Sequence, residues 1–198
     1  MIPRIAIGWI ALVLAMVAPA VSRAEVDRRN LWIALGILPA AYFHEVVAHE
    51  ASHVAVAKML VPGLKVTQFA PYPCRDSRGE LHLGCFSSTV PDGMRVGGGT
   101  HIVIGIAPYI LGVSVFAVSD ILLSTGMVDP GSPGGVIMYV VGMLAPFVDL
   151  AANLVLGKSD WSGIRQRANH PVFDVAGSAL LVVGMCRLVK HGRAVFRR

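Results

Sequence analysis

The residues whose types and spacing could do chemistry gather in one stretch, His44-Glu45-Val46-Val47-Ala48-His49-Glu50-Ala51-Ser52-His53. Residues 49–53 read HExxH. On a helix, positions four apart share a face, so His49 and His53 can present two imidazoles to one metal ion. Glu50 then stands beside that ion as a general base for a bound water. With seven histidines and four glutamates in 198 residues, chance produces this pattern in about one such chain in two hundred. The motif also lies within an apolar run, where ionisable groups are costly to bury and usually functional. These residues imply a metal site, and zinc (Zn2+) is the ion such ligands suit.

Two imidazoles require a third protein ligand. The candidates are Asp149, Asp174, Glu45 and His44. Asp149 is preferred on geometry. The apolar spans that carry the motif and Asp149 cross in the same direction, and at 1.5 Å per residue His49 lies roughly 27 Å along its span and Asp149 roughly 21 Å along its own. Pro146 precedes Asp149 by three residues and frees a backbone carbonyl, which can kink the helix toward the site. Asn153, one turn beyond, shares the face of Asp149 and can hydrogen-bond a substrate carbonyl or a ligand. Asp174 opens the last span on the same side and is the alternative third ligand; its other reading is an acid complementing a helix start. His44 is off the ligand face, a packing or outer-shell histidine. Glu45 lies one turn before His49 and can orient its ring.

The elements that must position these residues are membrane helices. The chain is 55% hydrophobic and only 15% charged, with a mean hydropathy of +0.65, whereas soluble domains carry about 25% charged residues. Four apolar runs, about 31–60, 100–123, 135–156 and 172–189, are each near or above the roughly 20 residues that span a hydrocarbon core. Residues 1–24 combine Arg4, an apolar stretch and small residues at the end, and read as a signal peptide or an extra N-terminal transmembrane helix. Residues 25–198 read as one membrane-embedded domain, an all-α integral membrane bundle. The β-prone runs 64–70 and 80–90, separated by turn residues, predict a membrane-associated β-hairpin over about 64–90.

The net charge of +5 suits contact with anionic lipid headgroups, and nothing in the sequence suggests nucleic acid as a partner. Eight basic residues fall on one side of the membrane and seven on the other, so the positive-inside rule is nearly balanced. The signal-like N-terminus favours a bacterial-type inner (plasma) membrane with the hairpin on the cytoplasmic side. Cys74 and Cys85 flank a short polar stretch and read as a disulfide, a pair of free thiols, or residues without function. A disulfide would place the hairpin in an oxidising compartment and invert this topology.

In the order of its parts the chain resembles the site-2 protease family of intramembrane zinc metalloproteases. A membrane helix carries His49 to His53 in its second half, and a β-prone stretch follows. A second span carries Ile106-Ala107-Pro108-Tyr109-Ile110-Leu111-Gly112, and a third carries Pro146-Phe147-Val148-Asp149. The likeness covers residues 31–156. It implies zinc held by His49, His53 and Asp149, and Glu50 as the general base. The substrates it implies are transmembrane proteins, cut in or near their membrane segments. Three departures set this chain apart: Leu150 stands where the family has glycine after the aspartate, Val141 stands near its upstream asparagine, and Ala51-Ser52 replace the family's usual HE-x-G-H flavour. They leave room for an inactive membrane scaffold or chaperone that keeps the fold. A di-iron hydroxylase would need paired histidine boxes, and the remaining histidines are scattered singly.

Overall fold

The computed structural model describes residues 26–75, 81–82, 84–156 and 160–197; the expected signal segment 1–24 and the hairpin turn 76–80 lie outside them. The chain is mostly helical. Helix α1 (Arg28–Leu60) is followed by four short strands, β1 (Lys65–Ala70), β2 (Cys74–Arg75), β3 (Leu81–His82) and β4 (Cys85–Thr89). Helix α2 (Gly98–Ser124) comes next. The third apolar segment is built from α3 (Pro133–Ile137), a π-helical stretch (Met138–Leu144) and α4 (Ala145–Leu156). A short α5 (Asp160–Ala168) and a long α6 (Val172–Phe196) complete the order. Four helical segments are long and apolar enough to cross a membrane: Arg28–Leu60, Gly98–Ser124, Pro133–Leu154 and Val172–Phe196. The four expected spans and the small hairpin are therefore present as elements.

The third segment is the axis of the bundle. Of its most apolar window 56% is buried, against 17% for both α2 and α6. Its Val136, Tyr139, Val140, Met143, Phe147 and Ala151 form the main core with Ala34 and Ala41 of α1 and Leu188 and Val195 of α6. The outer helices instead turn large apolar side chains outward, among them Val103, Ile110 and Val118 on α2 and Val175, Val182 and Val183 on α6. On α1 the buried positions Val46, His49, Glu50, His53 and Ala57 recur at spacings of three and four, one helical stripe. The HExxH residues thus point into the protein, and it is the polar stripe of this helix that is buried.

Prolines shape the helices near the site. Pro146 has no N–H to offer the carbonyl four residues back, and its ring crowds that turn. The helix ahead of it is widened to the π-helical stretch ending at Leu144, a distortion such defects favour. Pro108 within α2 likewise leaves the Ile104 carbonyl without its helical donor.

Strand β1 pairs antiparallel with β4, Phe69 opposite Phe86 and Ala70 opposite Cys85, with an irregularity between Val66 and Gln68. Strands β2 and β3 continue the hairpin, Cys74 opposite His82. Cys74 and Cys85 form a disulfide, the first of their readings. The tight entry from α1 uses Gly63 at φ +78°, a left-handed conformation that other residues adopt at a cost.

The bundle is tied at the end remote from the motif, about 20 Å along α2. The Arg187 Nε donates to both oxygens of Asp120 at 2.8 and 2.9 Å, and buried His191 meets Asp120 at 2.6 Å. Asp120 thus joins α2 to α6. Buried Asn30 donates to the Val195 carbonyl at 2.7 Å and the Gly131 carbonyl at 3.2 Å, holding the start of α1 against the end of α6.

Candidate metal centre

His49, Glu50 and His53 lie buried on α1, at 8%, 8% and 5% exposure. Their surroundings come from four other elements. The His53 Nδ1 meets the Ile104 carbonyl at 2.9 Å, the acceptor that Pro108 leaves free. The His49 Nδ1 meets Asp149 Oδ2 of α4 at 2.9 Å. An acceptor on each Nδ1 selects the tautomer with the proton there and leaves the lone pair on Nε2. Both Nε2 atoms then face one group: Asp160 Oδ2, the first residue of α5, is 3.1 Å from His49 Nε2 and 3.1 Å from His53 Nε2.

The three donors suit a metal ion. His49, His53 and Asp160 each offer a ligand atom, and these atoms lie within 4.8 Å of one another. In a tetrahedral zinc site with bonds of about 2.0–2.1 Å, ligand atoms stand about 3.3 Å apart, close to the two separations found. The Asp160 side chain is 46% exposed, and a carboxylate with two neutral imidazoles is a donor set that zinc takes.

This arrangement differs from the sequence expectation for the third ligand. Asp149 reaches His49 on Nδ1, the side of the ring away from the converging donors, so it buttresses the imidazole. Asp174 is not at the cluster; its carboxylate pairs with Arg165 at 3.0 Å near the surface. Glu45 has no ring nitrogen left to orient, since both nitrogens of His49 are taken by Asp149 and Asp160. It lies instead within electrostatic reach of Asp149 and His49. His44 is exposed, off the ligand face as expected. The Asn153 side-chain amide donates to the Asp149 carbonyl at 2.9 Å and to Asp149 Oδ1 at 3.2 Å, so it props Asp149.

Asp160 escaped the sequence reading because it belongs to no apolar span. Helix α5 packs Trp161 and Ile164 against Tyr109 and Leu150, and this contact carries its first residue between the two histidines. A signal did exist in the sequence: an aspartate in the loop after the third span, seven residues beyond Asn153.

The hairpin closes the remaining side. Phe86 stacks on His53 with ring centroids 6.2 Å apart and planes at 10°. Gly84 packs on the Glu50 carboxyl so closely that a Cβ there would come within 2.6 Å of Oε1 and 2.9 Å of Val46 Cγ1. Glycine is needed at this approach. Cys85, the next residue, carries the disulfide and pins this part of the hairpin to β2.

Comparison of the chain with protein-family models, with curated proteins and with solved structures yields no match.

Proposed function

We propose that the protein is an integral membrane zinc metalloendopeptidase of the site-2 protease type, hydrolysing peptide bonds in or near the membrane segments of other proteins. The observation that carries this reading is the convergence of His49 Nε2, His53 Nε2 and Asp160 Oδ2. With both Nδ1 protons committed to Asp149 and Ile104, these three atoms meet lone pair to lone pair, and a cation between them makes every contact favourable. Zinc bound there would polarise a peptide carbonyl and acidify a water.

The chain's own residues supply the rest. Glu50, next to the ligands and walled by Gly84, takes a proton from the attacking water and later returns it to the amine that leaves. Asp149 and Ile104 hold the imidazoles in the ligand tautomer. His49, Glu50 and His53 are buried, which strengthens their interactions, while the Asp160 side chain is 46% exposed. Counted from Asp160 the third-span departures stand: Ala152 lies where the register of Val141 before Asp149 puts the family's asparagine, no proline stands just before Asp160, and Trp161 follows where the family has glycine. They favour, as a second reading, a scaffold that keeps the zinc without cutting.

The outward-facing valines, leucines and isoleucines of α2 and α6 support residence in a bilayer, with lipid as their partner. The Cys74–Cys85 disulfide favours the oxidising side for the hairpin, the inverse of the topology expected from the N-terminus.

The first test is zinc content of the detergent-purified protein beside His53→Ala and Asp160→Ala. About one zinc per chain, lost in both variants, is expected; a folded wild type without zinc would end the metalloprotease reading. Cleavage of a membrane-protein substrate that disappears in Glu50→Gln, with zinc retained, separates the protease from the scaffold.

A further inference from the structure

Buried hydroxyls normally have a hydrogen-bond partner, because leaving one desolvated and unpaired is unfavourable. Tyr109 is 5% exposed, yet its hydroxyl has no partner. Among the described residues one other buried side-chain polar atom is in this position, the indole N–H of Trp161. Both stand in one wall of the metal centre. The Tyr109 ring is edge-on to the His49 imidazole, with centroids 5.8 Å apart, and edge-on to Trp161 at 5.2 Å. Its oxygen sits against the Trp161 backbone N–H, which can only donate to it, so the phenolic proton is left without an acceptor; the group lies within electrostatic reach of Asp160, Asp149 and Glu50.

Packing explains the ring but not the oxygen. Tyr109 belongs to a cluster with Leu150, Trp161 and Ile164, which a phenylalanine would fill as well. Around the cluster Asp149, Asp160 and Glu50 only accept when ionised, and the Asn153 amide is spent on Asp149. A peptide carbonyl being hydrolysed needs a donor where its oxygen gains charge.

We infer that the Tyr109 hydroxyl donates a hydrogen bond to the carbonyl oxygen of the bound peptide as that oxygen becomes an oxyanion. The inference rests on the hydrolase reading above. As Glu50 removes a proton from water, the water oxygen bonds to the carbonyl carbon and the C=O π pair moves onto oxygen. Tyr109 keeps its proton and shares it with that oxygen. On collapse the C=O bond re-forms, the C–N bond breaks, and nitrogen leaves with the proton Glu50 held. Tyr109 is thus a catalytic residue that binds the reacting carbonyl and transfers nothing.

The test uses the full chain, zinc-reconstituted in detergent, as wild type and Tyr109→Phe. The probes are an apolar peptide phosphonamidate, a tetrahedral anion, and the parent peptide. The variant is expected to bind the phosphonamidate about 10²-fold more weakly, with parent-peptide affinity, zinc content and thermal midpoint unchanged. Equal phosphonamidate affinity in the two proteins overturns the inference and leaves the hydrolase reading standing. Loss of zinc, or a lowered thermal midpoint, assigns the hydroxyl to the ligands or the fold and also overturns it. A zinc-loaded wild type that does not bind the phosphonamidate removes the hydrolase reading and this inference together.

Discussion

Asp149 and Asp160 both touch His49, but on opposite sides of its ring, and their roles follow from that. A carboxylate on Nδ1 sets the tautomer and the ring's direction and raises its basicity as a ligand, whereas a carboxylate on the Nε2 side competes for the metal itself. Replacing Asp149 by asparagine keeps an acceptor for Nδ1–H and removes the charge. Asp149→Asn should therefore retain zinc with about 10–100-fold weaker affinity, measured by competition with a chromophoric chelator. Asp160→Ala should lose the metal. The reverse ranking would restore Asp149 as the third ligand and reduce Asp160 to a bystander.

At the scale of elements, the site is an assembly of faults placed to be useful. Pro108 breaks the ladder of α2 at the one carbonyl, Ile104, that His53 needs. Pro146 follows a widened turn in the segment that delivers Asp149. The hairpin packs a glycine on the Glu50 carboxyl, where an added Cβ would collide. Gly84→Val should lift the strand from α1 without touching a ligand. The expected result is retained zinc, faster amide exchange across Cys85–Thr89, and activity lower by about 10²-fold, the cost of a misplacement of roughly 1 Å. Activity unchanged in Gly84→Val would mean that the hairpin does not define the position of Glu50.

For the whole molecule, the question is which compartment the site's hairpin meets. Disulfides persist in oxidising compartments and are rare where thiols are kept reduced, and Cys74–Cys85 is such a bond. With the remaining thiol removed as Cys186→Ser, a membrane-impermeant maleimide applied to intact cells should label the protein only after treatment with an impermeant reductant. Labelling without reductant would mean the pair is open. Labelling confined to inverted vesicles would return the hairpin to the cytoplasmic side that the signal-like N-terminus suggested.

Composition and local spacing already determined a good deal. Apolar runs of membrane length predict the four long helices, because backbone groups in a bilayer must be satisfied within the segment. Two histidines four apart share a face on any helix, so the paired imidazoles and their glutamate were legible without a structure. The carboxylate that meets both Nε2 atoms was not. Depth along a straight helix favoured Asp149, but depth does not say which ring nitrogen a carboxylate meets. It also overlooks a residue such as Asp160, which a short helix outside the spans brings back over the bundle. Only tertiary packing decides that, through Trp161 and Ile164 seated against Tyr109 and Leu150. Tyr109 itself reads in the sequence as one more apolar position beside a proline, and it took the folded wall around it to leave its hydroxyl alone. Periodicity fixes which residues share a face; what meets that face depends on contacts between residues as much as 111 positions apart.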